Sequence, residues 1–412
     1  MHQSPGRYPL ILTLALAGAC ETTPATDEGG DDEDPTLHQA ELETGYPQLE
    51  QACRGPIAEP SHLVVTSTDF NTGAVGLVEL ATREVAADLA PASSDAAPYV
   101  VGERVFVVNR FGFDYIDELD PRAALELIHE FAITPIGAEQ SANPQAIAID
   151  PDGRGWVSLF GAAELQQVRF PTLAAAQPSV PLALDLREFA DEDGSPELGA
   201  MIGCGSILFV AAARIDTNNW VPADDTLLIP VRTGERPTLF DFDPDSPGAD
   251  AIRLLGDGVN KWRLDPADPS GHTIVVLNSG LEQVELSTGT SEWLVSEDLF
   301  ADAGYDRLQL SSFDYDADGR IWISAAKADF SGFELLRVDL DGPEPQLLIA
   351  LEGLQSVSGA LEIVGHELWF ADTTLGASGL RGFDLSADPV AELPESPLAV
   401  GLPPLGLAPL SL

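Results

Sequence analysis

Three carboxylates at alternate positions, Asp314, Asp316 and Asp318, followed at once by Gly319, are the residues of this chain best spaced to hold a divalent cation. Alternate acids before a glycine turn open the calcium loops in which oxygen ligands wrap a hard cation, and such a loop closes with a bidentate Glu at its twelfth position. Counted from Asp314, position twelve is Ala325 and position nine is Trp322, so the closing ligand is missing. The stretch reads as a solvated hairpin turn and only weakly as a metal site. No cofactor is expected, with calcium as the weak alternative. An earlier stretch, Ile149-Asp150-Pro151-Asp152-Gly153-Arg154-Gly155-Trp156-Val157-Ser158, repeats the pattern of strand, Asp-Gly turn and second strand. Asp-Gly suits a two-residue hairpin in which both central positions take positive φ.

The elements that position these turns recur along the chain. Seven apolar runs of strand length begin at Leu63, Val105, Gly155, Leu208, Ile274, Ile321 and Leu368, at intervals of 42–66 residues. Near-continuous apolar runs suggest strands buried on both faces. A period of this size with several strands per unit is the signature of a β-propeller. The third unit fills out as 144–149, 155–160, 164–170 and 181–186, and the sixth as 309–315, 320–326, 333–340 and 345–352. Segment 123–131 is the one stretch that could be helical.

The first unit has no strand-like run ahead of Leu63, and residues 404–412 follow a complete seventh unit without a sheet of their own. The tail is therefore expected to supply the missing inner strand and remove two open edges. The expected fold is all-β: a seven-bladed β-propeller of four-stranded antiparallel blades over 62–412, its ring closed by the C-terminal strand.

The Asp-x-Asp-Gly-x-x-Trp-(Val/Ile)-Ser pattern resembles bacterial propellers of the NHL, streptogramin-lyase and gluconolactonase-like group. The whole architecture is similar to the propeller lipoproteins that predatory GC-rich bacteria encode in many copies. The resemblance implies fold much more than activity, since this architecture hosts both binders and enzymes.

Loops between second and third strands emerge opposite the Asp-Gly turns. They are rich in Asp, Asn, Arg and aromatic residues, and binding residues concentrate on loops carried by a rigid scaffold. The candidate ligand-binding residues are Asp69, Asn71, Arg110, Phe111, Arg214, Trp220, Asn278, Lys327 and Asp372. Arg110, Arg214 and Lys327 could converge on an anionic or polar ligand above the channel, or pair locally with carboxylates. No catalytic residues are assigned. The metalloprotease, nucleophile-elbow and Cys–His patterns are absent. The leading expectation is a binding scaffold for an envelope protein or polar ligand. The alternative is a propeller enzyme of lyase, lactonase or quinoprotein type with a metal or cofactor at the channel mouth, for which Asp69, Asn278 or Asp372 would be ligands.

The chain has 412 residues and a formal net charge of −47. Its lysines are Lys261 and Lys327 alone, which argues against nucleic acid as a partner. Residues 1–19 read as a lipoprotein signal: Arg7 gives the basic start, an apolar run follows, and Leu16-Ala17-Gly18-Ala19-Cys20 resembles a lipobox. Cys20 is the lipidation candidate, with ordinary signal cleavage as the alternative. The run is too short to span a bilayer, so membrane contact is expected through the lipid anchor only. Residues 20–45 are acidic and read as a disordered tether, and 46–61 as a lead-in segment. Cys53 and Cys204 then remain as an even pair, either a disulfide or two buried thiols. The expected place is the cell envelope, with Glu21 favouring the outer membrane and a secreted or periplasmic protein as the alternative. A monomer is expected.

Overall fold

Each second strand is apolar along its whole length because it lies between two neighbouring blades. Successive side chains of a strand point to opposite faces. Val105 and Val107 pack with Val64 and Val75 on one side, while Phe106 and Val108 pack with Val157 and Leu159 on the other. The same alternation separates Phe209 from Leu208 and Ile323 from Trp322. Among the described residues the core consists of seven apolar clusters, one between each pair of adjacent blades around the ring.

The computed structural model describes residues 36–53, 59–136, 141–168, 170, 182–223, 225–243, 245 and 248–412. The signal segment, Cys20 and the first part of the tether lie outside them. Blade 1 orders its strands Pro404–Leu410, His62–Thr68, Gly73–Glu79 and Val85–Ala92, from first to fourth. Blade 2 runs Ala96–Val101, Arg104–Asn109, Tyr115–Asp120 and Glu126–Ala132; blade 3 runs Pro144–Ile149, Gly155–Leu159, Glu164–Val168 and Leu182–Asp185. Blade 4 is Leu198–Cys204, Ile207–Ala212, Leu227–Arg232 and Thr238–Asp241, and blade 5 is Lys261–Leu264, Thr273–Leu277, Leu281–Glu285 and Thr290–Val295. Blade 6 is Tyr305–Tyr315, Ile321–Lys327, Phe333–Asp339 and Gln346–Leu354, and blade 7 is Leu361–Val364, Glu367–Asp372, Gly379–Asp384 and Ala391–Glu392. All pairs within these sets are antiparallel.

Closure is as expected. Leu63 pairs with Pro409 and Val65 with Leu407, and Leu410 is fully buried between blades 1 and 2. Thr68 N donates to Pro403 O and Ser61 N to Leu410 O, so the pairing continues past both strand ends.

Three local expectations need correction. Residues 36–44 are not a free tether: Thr36–His38 adds a parallel fifth strand to blade 3 and Glu41–Thr44 adds one to blade 4. Backbone pairing carries the segment along the outer edges, Ala40 packs against the cluster between blades 3 and 4, and Glu43 makes a bidentate ion pair with Arg232 at 2.7 and 2.9 Å. Segment 123–131 is not helical but a 3-10 turn followed by a strand; the described α-helix is Glu297–Asp302. The Asp-Gly hairpins are longer than two residues. Gly319 N donates to Asp316 O, and Asp316 N to Arg320 O. Only Gly153 and Gly319 take positive φ, at 86° and 78°, which is a tight turn followed by a left-handed glycine.

After Glu41–Thr44 the chain returns toward the Asp-Gly side of the ring. Tyr46 packs on Phe242, Gln51 O lies 3.2 Å from His272 Nε2, and Cys53 is disulfide-bonded to Cys204. Deleting residues 404–412 should lower unfolding stability by about 5 kcal/mol or more, since it strips buried leucines and a full ladder of hydrogen bonds. Chemical denaturation measures this, and an unchanged midpoint would mean that the tail does not hold the ring.

Candidate binding rim and central channel

The Asp-Gly motif is a brace. In blade 6, Asp316 Oδ1 accepts from the backbone N–H groups of Asp318 and Arg320, both at 3.0 Å. Its Oδ2 accepts from Arg320 Nε at 2.7 Å and from Trp322 Nε1 at 2.9 Å. Asp150 does the same in blade 3 with Asp152, Arg154 and Trp156. The buried carboxylate thus fixes the turn and satisfies the one polar atom of the large wedge that follows. Blade 7 has Trp369 at the matching position but no acid in its turn, and Trp369 Nε1 has no partner. Arg83 instead sits 4.9 Å above the ring. With both oxygens of Asp316 engaged, the weak metal reading loses its central ligand, although Asp316, Asp318 and His366 do bring ligand atoms together.

Asp314 belongs to a different place. It joins Lys261, Arg263 and Glu362 in a network across the first strands of blades 5, 6 and 7. Arg263 contacts Asp314 at 2.8 and 3.2 Å and Glu362 at 2.6 Å. Lys261 Nζ spends its three protons on Ser312 Oγ, Leu361 O and Glu362 Oε1, at 2.9, 2.6 and 2.7 Å. Burial, then the charge of Arg263, lowers the Lys261 pKa. Burial alone would raise Asp314, but the charges of Arg263 and Lys261 outweigh it and hold its carboxyl below the usual range. A Ser–Lys contact can be a nucleophile and its base. Here the amine donates in every direction and has two carboxylates in its network, so the arrangement cross-links three blades.

On the opposite side, a buried acid near the start of several third strands ties down the linker that enters its own blade. Glu164 accepts from Ile136 N in blade 3, and Glu282 accepts from Leu255 N and Gly256 N in blade 5. Glu334 accepts from Tyr305 Oη and Lys327 Nζ in blade 6. Several of the candidate rim residues are part of this scaffold. Asn278 is fully buried, donating to Glu282 and accepting from Gly280 N. Asp372 is buried against Thr374 N and Arg381. Neither side chain is exposed to a ligand at the rim surface. Arg110 pairs with Asp95 at 2.5 Å, Arg214 donates to Asp225 O, and Lys327 pairs with Glu334. The three cations are held within their own blades or the adjoining linkers. Asp69 caps its own loop by accepting from Asn71 N and Thr72 N.

What the loops expose is aromatic. Phe70, Phe111, Trp220 and Phe330 are 59%, 59%, 64% and 67% exposed on the loops of blades 1, 2, 4 and 6. All four take left-handed backbone, with φ of 68°, 47°, 54° and 57°. Bulky residues rarely occupy that region. Phe113 is a further exposed ring, and Trp220 stacks on Phe160 with centroids 6.2 Å apart. Sequence reading picked out Phe111 and Trp220 but passed over Phe70 and Phe330, although the likeness of Asp69-Phe70-Asn71-Thr72-Gly73 to Asp329-Phe330-Ser331-Gly332 was a usable signal.

Two acid sites escaped the sequence reading. On the linker between blades 3 and 4, Asp191, Asp193 and Glu197 each offer a carboxylate oxygen within 4.8 Å of the others. Their spacing, Asp191-Glu192-Asp193-Gly194-Ser195-Pro196-Glu197, repeats the Asp-x-Asp-Gly signal with a following acid. Burial, aided by Asp193 and Asp191 and opposed by the Ile215 N–H bond, raises Glu197 to about 7. The second is Asp117, at 6% exposure on the third strand of blade 2. Burial raises it to about 6 despite a 3.0 Å bond from Asn109, with Glu130 adding a little.

Asp117 yields a stability test. Its folded pKa lies above the unfolded value, so the fold favours the protonated acid. That stabilisation is complete below about pH 4 and is lost as pH rises through about 6. Asp117→Asn keeps an acceptor for Asn109 and should be more stable than the parent by about 1–2 kcal/mol at pH 7, allowing for solvent screening. Denaturant titrations should show the difference vanish near pH 4. A constant difference across that range would mean that Asp117 is ionised throughout.

No family model matches the chain, and no curated protein matches it. Solved structures do. A protein from Lactobacillus plantarum superposes with a TM-score of 0.55 at 9% identity, covering 85% of this chain and 99% of that one. The periplasmic gluconolactonase of Pseudomonas aeruginosa gives 0.52 at 16% identity, over 85% and 96%. Virginiamycin B lyase from Staphylococcus aureus gives 0.46 at 8% identity, over 78% and 96%. At such identities the likeness is one of fold. The chain is a seven-bladed β-propeller, with the architecture of the Lactobacillus plantarum and gluconolactonase structures.

Proposed function

We propose that this chain is a cell-envelope lipoprotein whose propeller binds a protein partner through the rim of second-to-third-strand loops. The observation that carries this reading is the set of exposed, left-handed aromatics Phe70, Phe111, Trp220 and Phe330. A left-handed bulky residue costs on the order of 1 kcal/mol, and an exposed ring gives little back in the free protein. Exposed apolar groups rimmed by polar ones mark interaction surfaces, and aromatic side chains are the usual anchors. Asp69, Asp216 and Asp329 stand beside three of these rings, so the complementary surface is basic with apolar pockets. The 45–53 segment crosses the Asp-Gly side at Gly205 and His272, which leaves the aromatic side as the more open one.

The second reading, an enzyme, draws on the fold shared with the gluconolactonase structure. Asn278 and Asp372, the ligands it would want at the channel mouth, are spent on Glu282, Gly280, Thr374 and Arg381. The shared fold fits this enzyme reading at least as well, and it is the exposed aromatic tips that favour the binding one. Lipid attachment at Cys20 would hold the ring at the membrane, and the Cys53–Cys204 disulfide suits an oxidising compartment.

Changing Phe111, Trp220 and Phe330 together to Ser should abolish capture of a basic envelope protein while stability stays within about 1 kcal/mol of the parent, as expected for surface positions. Equal capture by the triple variant would sink the rim assignment. For the anchor, Cys20→Ala should release the protein into the soluble fraction on cell fractionation, and persistent membrane association would refute lipidation there.

A further inference from the structure

We propose that Asp191, Asp193 and Glu197 form a calcium site on the linker between blades 3 and 4. Three carboxylate oxygens converge there within 4.8 Å. Independently of that convergence, Glu197 is 0% exposed and its Oε1 is buried with no hydrogen-bond partner; Asp191 Oδ2 is buried without one as well. A buried carboxylate oxygen without a partner is costly, and native proteins satisfy nearly all such atoms with protein groups, water or an ion. The donor set is oxygen alone, which selects a hard cation over zinc or copper. Calcium accepts a crowded, irregular cage of carboxylates, whereas magnesium demands octahedral geometry and keeps its waters.

The local chain is built for this convergence. Gly194 takes a φ of 90°, which turns the backbone and brings Glu197 beside Asp191. Arg214 is the base whose charge acts on Asp191. A divalent cation bound there would hold all three carboxyls ionised against their mutual repulsion. The turn at Asp316, Asp318 and His366 differs, because backbone N–H groups already use Asp316 Oδ1 and the Arg320 and Trp322 side chains its Oδ2. The site also touches the rim. Ile215 N donates to Glu197 Oε2 at 2.9 Å and Thr217 Oγ1 to Asp193 Oδ2 at 2.7 Å, so the ion fixes the loop that displays Trp220. The site stands whether or not the rim binds a protein.

The full chain, stripped with chelator and returned to chelator-free buffer, should bind one calcium ion by isothermal titration with calcium chloride. Its melting temperature should rise in calcium. Glu197→Gln should weaken binding by at least about ten-fold, as loss of one of three charged ligands implies, and remove the thermal gain. Asp193→Asn, at the exposed member of the set, should do the same while melting like the parent without calcium, so a folding defect cannot mimic the result. Asp318→Asn should keep one calcium per chain. No binding or thermal gain at millimolar calcium would overturn the site, as would unchanged affinity in both Glu197→Gln and Asp193→Asn. Tighter binding of magnesium chloride would overturn the choice of ion.

Discussion

The pairing of Pro404–Leu410 with His62–Thr68 is the contact on which the rest of the molecule depends. A four-stranded blade has two apolar faces and cannot bury either alone. Around a ring each blade covers its neighbours, so every face is buried only if the ring is complete. Here the chain enters blade 1 at its second strand and supplies the first from the far end. The cluster between blades 7 and 1 includes Leu407, and that between blades 1 and 2 includes Ala408 and Leu410. One strand therefore completes two of the seven interfaces. An open ring would expose those faces together with two unpaired strand edges, the feature that β-proteins avoid most consistently.

Scarce positive charge is spent inside. With 20 basic residues against 67 acidic ones, bases placed at buried acids serve the scaffold first. Lys261 and Arg263 sit with Asp314 and Glu362 across three blades, Arg320 and Arg154 sit on the turn acids, and Lys327 sits on Glu334. Breaking such a pair leaves an uncompensated buried charge, which costs far more than losing an exposed pair. The consequence for the surface is that the rim keeps its acids and its aromatics while its few cations are held by local carboxylates and carbonyls.

The 36–53 segment has a structural role. By adding Thr36–His38 and Glu41–Thr44 to the outer edges of blades 3 and 4, it covers two edges that would otherwise be open to other chains. The disulfide at Cys53 then fastens the same segment to the Asp-Gly side of blade 4. The junction that carries Asp191, Asp193 and Glu197 lies between these two blades. The half of the ring held by the extra strands is thus also the half that displays Trp220.

Blade number, strand order and closure were legible in the sequence because they follow from local periodicity: apolar runs at a repeating interval, Asp-Gly turns, one unit short of a strand and a tail without a sheet. The aromatic tips Phe111 and Trp220 were visible for the same reason. The fate of individual charges was not. Asp314 and Asp316 are two residues apart in one motif, yet one joins a network across blades with partners 51 and 49 residues away and the other braces its own turn, because alternate strand positions end where the strand does at Tyr315. Asn278 and Asp372 look like exposed loop ligands in one dimension and are buried in three, Asn278 against Gly256 of the preceding linker and Asp372 against Arg381 of the next strand. Residues 36–44 read as tether by charge, but two waiting sheet edges gave their backbone hydrogen bonds that no local pattern encodes. Sequence by itself determined the repeat and therefore the fold. Only the tertiary structure decided which acids are paired, which are buried without partners, and which rings face outward, because each depends on groups brought together by closing the ring.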